Sequence, residues 1–247
     1  MKISRADHSL SIATPDGPLP IRQVLAIGRN YAEHAHEQGA DIPDRPVVFT
    51  KWLNSLALDG DTVTIPPICE DPATGGGPHG DEPRSTGQVD WEAELAVVIG
   101  KAARDVEERD ALDHVLGYAC ANDVSARWWQ KNGGGGQWNR GKSFDGFCPI
   151  GPEVVPAASI ADPQRLAISC RVNGETMQDA NTDQMIFPVR TLISELSRGL
   201  TLIPGTVILT GTPSGVGVFR DPRLYLQGGD VVEVEIEGIG VLRNTVA

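Results

Sequence analysis

Residues 89–100, VDWEAELAVVIG, place Glu92 and Glu94 on one face of an expected strand, about 7 Å apart along the chain. The E-x-E spacing alone carries little. Glu233, Glu235 and Glu237 repeat it while alternating with Val232, Val234 and Ile236, the pattern of a strand with one wet face. The first pair has different neighbours: residues 95–99 are apolar on both faces, so the strand enters a core at once. Carboxylates at such a mouth are costly unless a cation or strong donors neutralise them, and two so close push one pKa upward. Asp123, in ACANDVSARWWQ, offers a third acid. Three carboxylates with no Cys or His select a hard ion such as Mg2+, Mn2+ or Ca2+. Three solvated acids are the competing reading.

His34 and Glu37 stand three apart in NYAEHAHEQ and share a helix face. A carboxylate that orients an imidazole raises its basicity, which suits a general base acting on water. A polar helix exterior fits the same residues, and neighbouring His36 shows that histidines there need no role. Lys51, Arg127 and Lys142 would bind an anion or stabilise an oxyanion if they converge, and are surface charges if they do not. The loop 210–217, TGTPSGVG, either offers hydroxyls and backbone N–H groups to a ligand or simply turns the chain. Residues 136–143, GQWNRGKS, match the phosphate-loop pattern G-x-x-x-x-G-K-[ST]. That loop needs a helix whose first turn receives the phosphate, and the next residues, FDGFCPIGP, are broken by Gly146, Pro149 and Gly151. Nucleotide binding is therefore disfavoured, and stands as the rival from another class.

The elements that must position these groups are mostly short strands. Apolar, β-branched runs fall at 22–27, 46–50, 94–99, 166–172, 206–210 and 230–236. Helices are expected at 30–38 with Asn30 as cap, and at 106–116, 125–131 and 188–197. Strands and helices do not alternate regularly, and 28 Gly with 18 Pro punctuate the chain. The fold class is α+β and strand-dominated rather than a doubly wound parallel sheet. Its 247 residues suit one large domain or two small ones. The polar stretch 69–87 and the four glycines 133–136 read as lids or insertions.

A formal net charge of −12 disfavours nucleic acid and anionic membrane surfaces as partners. No run approaches the ~18 apolar residues of a membrane span. The opening MKISRADHSLSIATPDG is too polar for a signal peptide, so cytoplasmic residence is expected. Cys69, Cys120, Cys148 and Cys170 form no C-x-x-C pair and are expected to be buried thiols.

Taken in order, the motifs resemble the fumarylacetoacetate hydrolase family. They are Gly28-Arg29-Asn30-Tyr31 with His34, Phe49-Thr50-Lys51, the 90–100 segment DWEAELAVVIG, and Asn122-Asp123-Val124-Ser125-Ala126-Arg127 with Gln130. Gly117-Tyr118, Gly141-Lys142-Ser143-Phe144-Asp145, Val172-Asn173-Gly174-Glu175, Leu209-Thr210-Gly211-Thr212-Pro213 and Gly228-Gly229-Asp230 complete the set. The resemblance covers 22–247, after a lead-in of 1–21, and implies one catalytic domain folded as a mixed β-sandwich roll. It implies a divalent metal on Glu92, Glu94 and Asp123, and catalysis by His34, Glu37 and Lys142. Tyr31, Lys51, Arg127, Gln130 and Thr212 would line the substrate site, and the chain would form a homodimer. The implied activity is metal-dependent C–C bond hydrolysis of a small anionic 2,4-dioxo acid, of acylpyruvate or fumarylpyruvate type. Oxaloacetate-type decarboxylation and 2-hydroxydienedioate isomerisation are alternatives on the same site. One departure stands out: the stretch from Ile65-Pro66-Pro67 to the E-x-E strand is longer than family members commonly have, just before the metal ligands.

Overall fold

The computed structural model describes residues 1–6, 9–37, 39, 41–70 and 88–247, so most of the expected insertion, 71–87, lies outside the described residues. A strand apolar on both faces must be central in its sheet, and Ala93–Ile99 is buried at all seven positions. It lies in a seven-stranded mixed sheet ordered Val47–Lys51, Gln23–Gly28, Thr206–Leu209, Ala93–Ile99, Val115–Asn122, Cys148–Pro156 and Leu56–Ala57. Leu95, Val97 and Ile99 belong to the larger core, with Ile168, Cys170, Val234 and Ile236 of a second sheet. That sheet has five strands, ordered Glu175–Asn181, Ala167–Val172, Val231–Ile236, Gly240–Val246 and Thr62–Val63. Ala96 and Val98 belong to a second core with Leu10 and Ile12, from an N-terminal meander of Ile3–Ala6, Ser9–Thr14 and Gly17–Pro20. The central sheet is thus covered on both faces, in a strand-dominated α+β roll.

Tertiary pairing overrides several local expectations. Of the expected 106–116 helix, Glu108–His114 is a 3-10 turn, and Val115–Asn122 is a strand pairing on both sides. Gly117 allows this close approach: a Cβ there would stand 2.2 Å from the Val155 carbonyl oxygen. Residues 89–100 are not one strand. Val89–Asp90 pairs with Ser125–Ala126, and a break at Trp91–Glu92 precedes Ala93–Ile99. Of the expected 125–131 helix, Ser125–Ala126 is therefore strand, and a π-helical turn comes after it at Trp129–Gly133. The first helix is Ala32–Glu37, with residue 38 outside the described set. Asn30 does not cap it. Its side chain donates to Thr210 O at 2.7 Å and accepts from Phe187 N at 2.8 Å, tying distant loops together. The helix Val189–Ser197 and the four buried free cysteines agree with expectation. Strand Cys148–Pro156 succeeds the Lys142 loop where a phosphate loop requires a helix, which removes the nucleotide reading. Among the described residues, no helix is long and apolar enough to cross a membrane.

Candidate functional site

Antiparallel register brings the start of Ala93–Ile99 beside the end of Val115–Asn122, with Glu94 opposite Ala121 and Ala93 opposite Asn122. The break at Glu92 is pinned from the same side, since its N–H donates to Asn122 Oδ1 at 3.0 Å and its carbonyl accepts from Asp123 N at 2.9 Å. Glu92, Glu94 and Asp123 consequently gather, each offering an oxygen within 4.8 Å of the others, and all three are buried. The expected convergence of acids is present, produced by a strand end and a loop rather than by alternation along one strand.

The three cations converge on the same cluster. Lys142 Nζ lies 2.7 Å from both Glu92 Oε2 and Asp123 Oδ2. Lys51 Nζ binds Asp123 Oδ1 and also donates to Val124 O at 3.3 Å. Arg127 bridges Asp90 Oδ1 at 2.6 Å and Glu92 Oε1 at 2.7 Å, and Asp90 accepts from Val218 N at 2.8 Å. Four buried carboxylates thus meet three buried cations, leaving one carboxylate without a cation.

Glu94 is that carboxylate. Its partner is the Gly211 N–H at 2.7 Å, and burial, with the charges of Asp123 and Glu92, pushes its pKa well above the usual carboxylate range. Burial would raise Glu92 as well, but Lys142 and Arg127 outweigh it and hold Glu92 low. Burial lifts Asp90 to about 6 against the pull of Arg127. Lys142 is pushed up, because the charges of Asp123 and Glu92 outweigh its burial, so it stays an ammonium donor. The buried Tyr31 hydroxyl has no hydrogen-bond partner among the described residues, and burial with the Glu94 charge keeps it protonated. Clustered oxygens, an acid with no cation of its own and an orphaned hydroxyl nearby fit a hard divalent cation.

Beside the cluster lies a cavity of about 140 Å³. His34, Glu92, Arg127, Gln130, Lys142 and Thr212 line it. Tyr31 and Lys51, expected on its wall, do not line it: Lys51 backs Asp123, and Tyr31 is buried. Glu37 acts through its neighbour, with Oε2 3.1 Å from His34 Nδ1 and Oε1 accepting from Gly215 N at 2.9 Å. A carboxylate accepting from Nδ1–H makes Nε2 the ring's acceptor, the tautomer a general base needs. Thr212 Oγ1 accepts from Gln178 Nε2 at 2.8 Å, while Gln178 Oε1 accepts from Ala93 N at 2.9 Å.

Sequence reasoning missed Asp90, although it stands two residues before Glu92 in the segment already singled out. It also missed Gln178, which nothing in TMQDAN marks, and the cavity residues Arg29, Phe49, Lys131, Trp138 and Phe219.

Fold and site together define a class: two-sheet rolls whose central strand end carries an acidic, metal-type centre beside a histidine–carboxylate pair. The chain belongs to the fumarylacetoacetate hydrolase family, whose profile for the fumarylacetoacetate (FAA) hydrolase C-terminal domain matches residues 23–247. It is 46% identical over 224 residues to oxaloacetate tautomerase FAHD2A, mitochondrial, of Bos taurus, covering 91% of this chain and 66% of that protein. The chain therefore spans just under two thirds of that relative's length. It superposes with TM-score 0.81 on fumarylpyruvate hydrolase from Pseudomonas aeruginosa in complex with Mn2+ and pyruvate, at 32% identity over 99% of this chain and 98% of that one. The 2-hydroxyhepta-2,4-diene-1,7-dioate isomerase from Mycobacterium marinum gives TM-score 0.75 and 33% identity, over 99% and 86% of the two chains.

Proposed function

We propose that this chain, through residues 22–247, is a divalent-metal-dependent tautomerase that interconverts the keto and enol forms of a small 2-oxo dicarboxylate of the oxaloacetate class. The observation that carries the reading is the pairing, on one small cavity, of a histidine held in its basic tautomer with an ammonium that stays charged. Tautomerisation needs that pair and no attacking water. The bovine relative named as an oxaloacetate tautomerase supports the reading.

When bound on Glu92, Glu94 and Asp123, a divalent ion supplies Lewis-acid polarisation of the oxygens it chelates. His34, oriented by Glu37, takes a proton from C3 of the keto acid. Lys142 and Arg127 stabilise the negative charge that develops on the C2 oxygen. That oxygen then takes up a proton to give the enol, and the reverse sequence returns the ketone with no atom gained or lost.

Fumarylpyruvate-type hydrolysis is the second reading, because a His34–Glu37 pair equally suits proton removal from water, and the Pseudomonas structure supports it. The deciding experiment tracks the enol absorbance of oxaloacetate with magnesium, alongside assays for pyruvate and CO2. Tautomerisation accelerates relaxation to an unchanged keto–enol ratio and releases neither product. Pyruvate released from fumarylpyruvate, with enol relaxation at the background rate, overturns the proposal in favour of hydrolysis. Pyruvate and CO2 formed from oxaloacetate overturn it in favour of decarboxylation.

Metal binding has a pH signature. With its folded pKa raised, Glu94 contributes stability fully only below its unfolded pKa and loses it as pH rises through the folded value. A cation requires ionised Glu94, so at low pH it competes with a proton and at higher pH it does not. Magnesium at a hundredfold excess over its Kd adds about 2.7 kcal/mol of stability. The expected result is a rise in Tm with magnesium that is larger at higher pH than at low pH and is lost in Glu94→Gln, measured by scanning calorimetry.

A homodimer is proposed through the edge strand Val47–Lys51, where Val48 and the adjacent Trp52 are 47% and 51% exposed. Light scattering should give twice the chain mass, and Val48→Asp with Trp52→Ser should shift it toward the single-chain value.

A further inference from the structure

Lys131 is absent from every role assigned so far, yet it lines the same cavity. It projects from the π-helical turn Trp129–Gly133, the kind of irregular turn often found at functional sites. Its ammonium stands 5.3 Å from the centroid of the Phe219 ring and has no carboxylate partner among the described residues. Burial, with the charges of Arg127 and Arg223, pushes its pKa down against the opposing pull of Asp90. Arg29 lines the cavity too, over the Trp138 ring at 6.0 Å. In a chain with net charge −12, a cavity-lining ammonium with no carboxylate partner among the described residues marks a place for an anion.

Its location narrows the kind of anion. Phe219 meets the His34 ring edge-on, with centroids 6.1 Å apart, so Lys131 and His34 touch one aromatic ring. The tautomerase reading has His34 work on C3 of the substrate. In a 2-oxo diacid of the oxaloacetate type the second carboxylate is attached directly to C3, the carbon that loses its proton. A 2-oxo monoacid has nothing charged there.

We propose that Lys131 is a specificity-determining residue that binds the distal carboxylate and selects 2-oxo diacids over 2-oxo acids uncharged at that end. This rests on the reading given under Proposed function and deepens it. The subsite is separate from the acid cluster, so Lys131 sets KM rather than the chemical step.

The test compares oxaloacetate with its 4-ethyl ester, which keeps the 2-oxo carboxylate and lacks the distal charge. Both are measured with magnesium, by enol relaxation and by calorimetric binding, in wild type, Lys131→Met and Lys131→Arg. One charge-assisted contact predicts a fall of about 10- to 100-fold in kcat/KM for the diacid in Lys131→Met, carried by KM. The ester should change less than threefold, and Lys131→Arg should recover most of the diacid preference. Equal losses on both compounds, or a diacid preference that survives in Lys131→Met, overturn the subsite. A wild type that binds the diacid tenfold better than the ester but turns over neither sinks the tautomerase reading and supports the subsite. Equal binding of the two by wild type sinks the subsite whatever the reaction.

Discussion

Lys142→Met is expected to lower kcat by about 100- to 1,000-fold, the usual effect of removing a donor aimed at a developing oxyanion. The ammonium is buried, faces the cavity and lies 2.7 Å from both Glu92 and Asp123. Two further results separate this role from a purely structural one. Breaking a buried ion pair by removing one partner costs about 3–5 kcal/mol, so the metal-free variant should melt well below wild type. Magnesium should recover more Tm in the variant than in wild type, because a cation then meets carboxylates with no ammonium between them. Lys142 is raised rather than lowered, so the wild-type rate should show no loss attributable to lysine deprotonation near neutral pH. A variant with near-normal kcat and the expected drop in Tm would remove Lys142 from the chemistry and leave it a role in holding the acids.

His34→Ala carries the second large effect, about 100- to 10,000-fold in kcat for loss of a general base. Its fold cost should be small, because the side chain ends at the cavity and its partner Glu37 remains tied to the Gly215 N–H. Glu37→Gln should fall between wild type and His34→Ala, since the amide still contacts Nδ1 but no longer fixes the tautomer by accepting from it with a charged oxygen. The outcome also sorts the reactions. Tautomerisation and hydrolysis both need a base, whereas loss of CO2 from a 2-oxo diacid does not. Oxaloacetate decarboxylation that persists in His34→Ala, with enol relaxation abolished, would move the assignment to decarboxylase.

Much of the site was legible because its signals are local. Apolar residues on both faces of 95–99 demand a central strand, and acids at its mouth demand compensation; both hold at Ala93–Ile99. The grouping of Asp123 with the E-x-E pair was one of two readings the residues allowed and the one the family resemblance implied, and the 4.8 Å cluster realises it. Helical periodicity failed at 106–116, where Val115–Asn122 is claimed by strands on both sides. Expected cavity residues divided for a similar reason. Lys51 and Tyr31 sit in motifs beside the site, but their strand and helix start place them behind the wall.

Chemistry was written into residue type: an acidic chain with one dense patch of buried-strand acids, a histidine three residues before a glutamate, and lysines beside apolar or glycine-bearing segments. Those are properties of neighbours in sequence, and they survive without knowledge of the fold. Only the tertiary structure decided the balance of charge. It set four carboxylates against three cations, left Glu94 as the acid without a cation, put the Lys142 ammonium between two acids, and placed Lys131 across one aromatic ring from His34. Coulomb energies and desolvation depend on distances between groups tens of residues apart, and those distances exist only once the sheets have paired.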